Sequence, residues 1–362
     1  MVEDRRPTLQ TVAARAAVSK QTVSNALNSP HLVRPDTLDR VLGAVAELGY
    51  RPHAAARQLR TSRSHVVALR LEPTADGISG AVLDRFLHAL TEQAQLRGYR
   101  VMLFTARDDA AEIAQYGELV DELRVDGVVL TSTHRGDPRT HWLAEHGVPF
   151  VTFGRPWRPD GGMDLSPAAA HAWVDVDGAT GTRAAVEHLL ALGHRRIAYV
   201  GWPAGSDTGE DRRGGWVRAM LAAGTVPDGE LESLWLGVPD GAGAGAEAAE
   251  HLLATAAPTA FVCASDSLAL GALAAARSTA DAARSGVLPA VVGFDDTPVA
   301  RAVGLTSVAQ PLTEAADRVL GLLLGQLTGG STGPDLDIAD RQVLLCPNLV
   351  VRASSAHRTP PP

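Results

Sequence analysis

The sequence predicts an α/β fold with parallel sheets, preceded by a small all-α N-terminal domain. Apolar residues recur at helical spacing through the first part of the chain, up to about residue 60. From His65 onward, short apolar strands alternate with amphipathic helices, which is the pattern of parallel sheets covered by helices on both faces. The chain has 362 residues, 45% of them hydrophobic, which is enough for one small domain and two of medium size.

The first helical stretch is Thr8–Asn28, TLQTVAARAAVSKQTVSNALN. Its spacing predicts two short helices joined by a tight turn, with Thr8 and Ser19 as their N-caps. The apolar side chains expected to pack the hairpin are Leu9, Val12, Ala16, Val18, Val23 and Leu27. This pattern is typical of a DNA-binding helix-turn-helix, although an ordinary structural hairpin looks similar.

The second predicted helix, Lys20–Leu27, has a polar outward face. The face carries Lys20, Gln21, Thr22, Ser24 and Asn25. In a DNA major groove, Gln and Asn pair with adenine edges and Lys pairs with guanine acceptors. The face therefore predicts base recognition, and its alternative is a polar face that only contacts water.

Two more helical segments follow. Val33–Tyr50 predicts a third helix that stops at Gly49. Its expected core positions are Leu38, Val41, Leu42, Val45 and Leu48. Arg51–Arg60 (RPHAAARQLR) predicts a short Ala-rich helix with one large apolar side chain, Leu59, and polar Thr61–Ser64 links it to the next part of the chain.

The α/β part predicts two sets of strands and helices. Strands of the first set are expected at His65–Glu72, Tyr99–Thr105, Val125–Thr131 and Val148–Phe153, with helices at Gly80–Arg97, Asp109–Leu123 and Asp137–Gly147. Strands of the second set are expected at Trp173–Val176, Arg196–Gly201, Leu234–Val238, Ala260–Ala264 and Ala290–Phe294. Its helices are expected at Gly178–Leu192, Glu210–Ala223, Ala244–Ala256, Ser267–Arg284 and Leu312–Leu327. Two such lobes in series leave a ligand cleft between the carboxyl ends of their strands.

These motifs together resemble the lactose/galactose repressor (LacI) family. In the head, the matching residues are the Thr8–Asn28 stretch, Val33 and Thr37, LGYRP at Leu48–Pro52 and AARQL at Ala55–Leu59. In the α/β part, they are Ala185–Pro203, Asp211–Trp216, Ala264–Leu273, Val291–Ala300 and Leu305–Pro311. The resemblance thus covers the head and most of residues 173–311.

The resemblance implies three parts and a function. They are a helix-turn-helix DNA-binding domain over residues 1–50, a hinge helix and linker over 51–64, and a two-lobe, periplasmic-binding-protein-like (type I) effector and dimerisation domain over 65–362. The first lobe is expected at 65–168 and 310–335, and the second at 169–309 and 336–355. The implied protein is a cytoplasmic, homodimeric transcriptional regulator, most often a repressor. It would bind a near-palindromic double-stranded operator and respond to a small-molecule effector, expected to be a sugar.

The resemblance also implies which residues contact DNA. They are Thr8, Ser19, Lys20, Gln21, Thr22, Asn25, His53, Ala56 and Leu59. Leu59 would insert into the minor groove and kink the duplex, although packing against the body is its alternative. Asn25 stands where most relatives carry Arg, which favours an adenine contact, and His53 stands where Asn is usual.

Six residues match effector-contact positions: Arg155, Asp177, Arg212, Trp235, Asp266 and Asp295. Arg side chains can fork onto hydroxyls or a carboxylate, and a Trp ring can stack on a sugar. Each has a structural alternative. Asp177 and Asp266 could cap helices, Arg155 could form a loop ion pair, and Trp235 could pack in the core.

Charge and cysteine content limit the partners. Residues 1–65 hold ten Lys or Arg against five Asp or Glu, and the rest holds 23 against 36. A basic head on an acidic body predicts a polyanion partner for the head alone. The sequence shows no long apolar span, no signal segment, and no metal-ligand spacing around Cys263 or Cys346. We therefore expect no membrane contact and no cofactor.

Two competing classes remain. Gly241–Ala246 fits the dinucleotide pattern G-x-G-x-x-A, and Asp266 follows about 20 residues later. This would favour a nicotinamide-dinucleotide enzyme, but Pro239 and Asp240 separate the glycines from the preceding strand. A solute-binding protein shares the two-lobe fold, but it would need an export signal and would lack residues 1–63.

Overall fold

The computed structural model describes residues 7–50, 63–71, 80–120, 125–158, 170–278, 288–328 and 338–356. The chain divides into two compact units, Met1–Ser64 and His65–Pro362. The division falls where helical spacing in the sequence gives way to alternating strands and helices.

The first unit consists of α1 (Leu9–Ala16), α2 (Lys20–Asn28) and α3 (Pro35–Leu48). Its buried core contains Val12, Val23, Val41, Ala44 and Tyr50. α3 begins two residues later than predicted, since the fixed φ and missing N–H of Pro35 suit the first helical position. Leu42 was expected in the core but is 46% exposed, because it follows Val41 by a rotation of about 100° around the helix.

The second unit contains strands in the following chain order: β1 (Val66–Arg70), β2 (Arg100–Phe104), β3 (Gly127–Leu130), β4 (Phe150–Phe153), β5 (Trp173–Val176), β6 (Ile197–Gly201), β7 (Trp235–Gly237), β8 (Ala260–Cys263), β9 (Ala290–Phe294), β10 (Thr306–Ala309), β11 (Gln342–Leu345) and β12 (Asn348–Val350). The first sheet has the order β11-β5-β4-β3-β1-β2 with all pairs parallel. The second has the order β12-β10-β9-β8-β6-β7, and only β12 runs antiparallel.

Helices cover these sheets. They are α4 (Gly80–Leu96), α5 (Asp109–Glu118), α6 (Pro138–Glu145), α7 (Gly178–Ala191), α8 (Asp207–Ala223), α9 (Ala242–Ala256), α10 (Asp266–Ser278), α11 (Pro298–Ala302), α12 (Leu312–Thr328) and α13 (Ile338–Arg341). α12 packs Leu320 and Leu323 against the first sheet, whereas α7 packs Leu189 against the second. None of the helices in the described residues is long and apolar enough to span a membrane.

Within the described residues, the chain passes between the two lobes at three places. The crossings are Asp177 between β5 and α7, Gln310–Pro311 between β10 and α12, and Cys346–Pro347 between β11 and β12. Asp177 N donates to Leu345 O at 2.9 Å, which joins the first crossing to the third. The three crossings therefore form one hinge at the end of the cleft.

The strand pairing corrects the predicted lobe boundaries. Both β5 and β11 were assigned to the second lobe, but β5 pairs with β4 and β11 pairs with β5, so both lie in the first sheet. The first crossing therefore comes at Asp177 rather than at residue 169, and the third at Cys346–Pro347 rather than at residue 336. Alternation along the chain shows that a strand exists, but its sheet is decided by hydrogen-bond partners distant in sequence.

Candidate functional site

α2 presents the side chains predicted to read bases. Lys20 and Gln21 are exposed in its first turn, and Asn25 is half-buried one turn later. Gln21 Nε2 donates to Asn25 Oδ1 at 3.0 Å, so the two amides lie side by side on one face. Amides in this arrangement can meet the donor and acceptor edge of a base pair in the major groove.

Thr8 and Ser19 fix the ends of the first two helices. Thr8 N donates to Thr11 Oγ1 at 2.8 Å, and Thr11 N donates back to Thr8 Oγ1 at 3.3 Å. Thr22 N donates to Ser19 Oγ at 3.1 Å. Both predicted N-caps are present; Thr8 holds the first turn of α1 in place and Ser19 that of α2.

The remaining predicted DNA contacts, His53, Ala56 and Leu59, lie outside the described residues. The hinge helix over residues 51–64 therefore stays a prediction.

In the second unit, Arg212 of α8 points toward the carboxyl ends of the second sheet. Its guanidinium carbon lies 3.7 Å from the Phe294 ring centroid and 5.2 Å from that of Trp202. Nη1 donates to Ala264 O at 2.5 Å. Nε is buried and has no hydrogen-bond partner in the described part of the chain. The side chain is thus held between two rings while part of its donor capacity stays unused.

Asp295 faces Arg212 at the end of β9. Its Oδ1 lies 3.5 Å from Arg212 Nη1 and accepts from Gln310 Nε2 at 2.7 Å. Burial raises the pKa of Asp295 to about 7, with Arg212 opposing the rise and nearby Asp266 adding to it. Its φ of 109° is a strained conformation for a residue other than glycine, and such strain concentrates at binding sites.

Arg155 connects the two lobes. It follows β4, and its Nε donates to Asp175 Oδ2 at 2.5 Å within the first lobe. Its Nη2 lies 3.2 Å from Asp211 Oδ2 on α8 of the second lobe. The ion-pair alternative for this residue therefore has direct structural support.

Two further arginines of the first lobe reach the second. Arg85 Nη1 donates to Asp295 O at 3.2 Å and to Asp296 O at 3.3 Å. Arg135 N donates to Asp207 Oδ2 at 3.0 Å, and its guanidinium pairs with both Asp207 and Glu210. We call the contacts of Arg135 with Asp207 and Glu210 the interlobe clamp.

Asp177 and Asp266 have their carboxylate oxygens engaged by the protein. Asp177 caps α7, accepting from Thr180 N and Thr180 Oγ1, each at 2.8 Å. Asp266 is fully buried and accepts from Thr297 N at 2.7 Å and from Ser307 Oγ at 2.6 Å. It ties α10 to the loop after β9, a structural role that differs from both effector binding and helix capping.

Trp235 is occupied on its indole N–H and on one face. Nε1 donates to Glu232 Oε1 at 2.5 Å, and the Arg213 guanidinium lies 4.1 Å from the ring centroid. These contacts leave less of the ring free for stacking on a ligand than the sequence suggested.

Gly245, within the Gly241–Ala246 segment, serves helix packing together with Gly271 of α10. A Cβ on Gly245 would lie 2.4 Å from Leu268 O, and a Cβ on Gly271 would lie 2.0 Å from Ala242 O. α9 and α10 therefore approach so closely that only glycine fits at these points. Packing therefore explains Gly245, whereas a Cβ on either motif glycine, Gly241 or Gly243, would meet nothing within 4 Å.

Sequence reasoning did not select Trp202, Gln310 or Arg85. Trp202 directly follows β6 and Gln310 directly follows β10. Their positions carry a usable signal, because ligands in parallel α/β sheets bind at the carboxyl ends of strands. Arg85 lies within α4, where only the three-dimensional fold reveals its contact with Asp295.

A three-helix head with an exposed amide-bearing helix, and a two-lobe α/β body with a polar cleft, define a ligand-controlled DNA-binding protein. Residues 8–53 match the family model "Bacterial regulatory proteins, lacI family", and residues 186–355 match "Periplasmic binding protein-like domain". The HTH-type transcriptional regulator CelR of Thermobifida fusca is 37% identical over 343 residues, covering 92% of this chain and 96% of the relative. The chain belongs to the LacI family and is a sequence-specific DNA-binding transcriptional regulator.

Other relatives match over nearly their full lengths. The regulator GalS of Salmonella typhimurium is 31% identical, with 97% of each chain covered. A solved CelR–cellobiose complex is 33% identical with a TM-score of 0.65, covering 96% of this chain and all of that one. The lac repressor dimer bound to operator and the anti-inducer ONPF is 25% identical with a TM-score of 0.73, covering 97% and 99%.

Proposed function

We propose that the chain is a repressor that binds its operator as a homodimer and is released by a sugar in the interlobe cleft. The observation that carries the proposal is the presence, in one chain, of a helix with exposed amides and a cleft in which Arg212 faces Asp295. It acts by binding rather than by catalysis, and in the cytoplasm, where the chromosomal operator is found.

The dimer follows from the number of recognition helices. Each chain carries one α2 in its head, and one such helix reads one half-site. A two-fold dimer then matches a near-palindromic operator. A related lac repressor was solved as a dimer on its operator. Within this proposal, residues 51–64 form the hinge, and Leu59 inserts into the minor groove.

Cellobiose is the first effector to test. A CelR relative was solved in complex with this disaccharide. Arg212 can donate to ligand hydroxyls while the carboxylate of Asp295 accepts from them, so together they suit adjacent hydroxyls on a sugar ring. A Trp count equal to the Phe count, six of each, also favours carbohydrate.

Effector and operator must affect each other equally. If cellobiose weakens operator binding by some factor, operator must weaken cellobiose binding by the same factor. The two lobes and the hinge supply two arrangements on which both ligands can act.

The test is a nuclease footprint on the DNA upstream of the gene that encodes the chain, followed by a cellobiose titration. We expect a symmetric protected stretch spanning two half-sites about one helical turn apart, and its loss as cellobiose is added. Glucosamine, which is cationic, serves as the control sugar. Protection that persists with every neutral sugar tested would contradict the effector proposal, and no protection with or without sugar would contradict the repressor proposal.

A further inference from the structure

Several buried polar groups without hydrogen-bond partners lie together where β6 meets α8. They are Tyr199 Oη, Trp202 Nε1, Arg212 Nε and Arg213 Nε, none of which has a partner in the residues that the structure describes. A buried donor without a partner is costly, so such groups are rare unless a ligand or water completes them. Of these side chains, Trp202 and Arg212 contact each other, with 5.2 Å between the guanidinium carbon and the ring centroid, and together they offer two unused donors to a ligand.

Trp202 lies along the sheet from Asp295. In the second sheet, β8 lies between β9, which ends next to Asp295, and β6, which ends next to Trp202. Two strand spacings amount to about 10 Å. Arg212 lies between the two, 3.5 Å from Asp295 and 5.2 Å from the Trp202 ring centroid, so Trp202 is the next side chain along the sheet for a ligand that extends beyond the first ring.

Trp202 and Trp235 offer different surfaces. The indole N–H of Trp235 is bonded to Glu232 and its face is covered by Arg213. The indole N–H of Trp202 is unpaired, and its only ring contact among the described aromatic and cationic groups is Arg212 at 5.2 Å. Part of the Trp202 ring packs against the core and against Gly209 of α8, but the side chain is only half-buried, so it keeps a donor and some ring surface for a ligand.

We propose that Trp202 forms a second sugar subsite, so that the cleft prefers a disaccharide over a monosaccharide. One ring places adjacent hydroxyls on Arg212 and Asp295, and the second ring lies on Trp202 with a hydroxyl accepting from Nε1–H. This inference rests on the proposed sugar effector and adds a residue and a ligand length to it.

The experiment is isothermal titration calorimetry of the full chain with cellobiose and with glucose. Wild type is compared with Trp202→Ala, Trp202→Phe and the control Trp142→Phe, in which the changed ring lies in α6 and stacks on His146. We expect Trp202→Ala to weaken cellobiose binding about tenfold or more, since a hydrogen bond and a ring contact are both lost. The glucose affinity of Trp202→Ala should change less than about twofold. The cellobiose affinity of Trp202→Phe should lie between those of wild type and Trp202→Ala, because this variant keeps a ring but loses the N–H.

The outcomes separate the subsite from the effector class. An equal loss of cellobiose and glucose affinity in Trp202→Ala would overturn the subsite and assign Trp202 to holding Arg212. Unchanged binding of both sugars in this variant would also overturn the subsite. If Trp202→Ala melts at a lower temperature than wild type, the loss of cellobiose affinity is compared with the loss of glucose affinity in Trp202→Phe instead. A wild type that binds neither sugar would overturn cellobiose as the effector, and the subsite with it.

Discussion

At the scale of single residues, Arg212 concentrates the contacts that a bound effector would use. Its guanidinium is stacked between Phe294 and Trp202 and lies 3.5 Å from Asp295. Arg212→Lys keeps the charge but loses the planar fork and most of the stacking. We expect operator affinity without sugar to remain within about threefold of wild type, and cellobiose to lose its effect on it.

Fluorescence anisotropy with labelled operator measures both quantities for Arg212. The control is Arg218→Lys, because Arg218 lies on the same helix and its guanidinium approaches Gly214 rather than the cleft. Loss of operator binding in Arg212→Lys, with a lowered melting temperature, would show that the residue supports the fold instead.

Asp295 predicts a pH-dependent effector affinity. Because burial raises its pKa to about 7, the carboxyl becomes protonated as pH falls below that value and accepts fewer hydrogen bonds from ligand hydroxyls. Cellobiose affinity should therefore fall with decreasing pH, by at most about tenfold per unit. Calorimetry between pH 8 and pH 5.5 measures the slope, and Asp295→Asn should remove it. An unchanged slope in the variant would assign it to another group.

The same raised pKa has an opposite consequence for folding. The carboxyl holds its proton more tightly in the folded chain than in the unfolded chain, where its pKa is ordinary. Its contribution to the free energy of unfolding is therefore present below the ordinary pKa and is lost as pH rises through about 7. Asp295→Asn should then melt at a higher temperature than wild type at pH 8 and show less difference at pH 5.5.

The limits of sequence reasoning are clearest among the carboxylates. Asp177, Asp266 and Asp295 each follow a strand, and all three were candidate effector contacts. Asp177 is engaged locally by Thr180, three residues later, whereas Asp266 is engaged by Thr297 and Ser307 from a distant part of the chain. Sequence could locate the three carboxylates but could not show which one retains capacity for a ligand.

At the scale of elements, α2 depends on its cap. Ser19 Oγ accepts from Thr22 N, and replacing such a cap by Ala typically costs about 1 kcal/mol. Ser19→Ala should reduce the hydrogen-exchange protection of α2 amides in the full chain. Ser29→Ala is the control, because Ser29 makes no side-chain cap bond to the following turn. Equal protection in Ser19→Ala and wild type would contradict a stabilising cap.

The paired amides of α2 predict coupled effects on operator binding. Gln21→Ala and Asn25→Ala should each weaken specific binding by about 1–3 kcal/mol and leave non-specific binding nearly unchanged. Since Gln21 donates to Asn25, the double variant should lose less than the sum of the two single losses. Anisotropy with operator and with scrambled DNA measures the affinity of wild type, of both single variants and of the double variant. Strictly additive losses would show that the two amides act independently.

Elements were more predictable than sites because periodicity is local. The expected caps and stop of the head, Thr8, Ser19 and Gly49, all appear where the sequence placed them. Sheet membership was less predictable, as the wrong assignments of β5 and β11 show, because it depends on which distant strand supplies the hydrogen bonds.

At the scale of the whole effector unit, the interlobe clamp should favour closed lobes. Asp207 is almost fully buried beneath Arg135, so the ion pair is shielded from water better than a surface pair. Arg135→Ala should let the lobes open further when no sugar is bound. Small-angle scattering should then show a larger decrease in radius of gyration on adding cellobiose than in wild type.

Arg107→Ala is the control for the clamp, because Arg107 is 87% exposed and forms an ion pair with neighbouring Asp108 of the same lobe. Equal changes in radius of gyration in Arg135→Ala and wild type would mean that the clamp does not hold the lobes closed.

The third crossing of the hinge carries an exposed thiol, Cys346. The chain has one other cysteine, Cys263, which is buried in β8 and whose pKa is raised by burial. A maleimide dye should therefore attach at Cys346 alone without any engineering of the sequence. Because that position lies where the backbone passes from one lobe to the other, the fluorescence of a single dye would follow lobe movement in real time as sugar or operator is added.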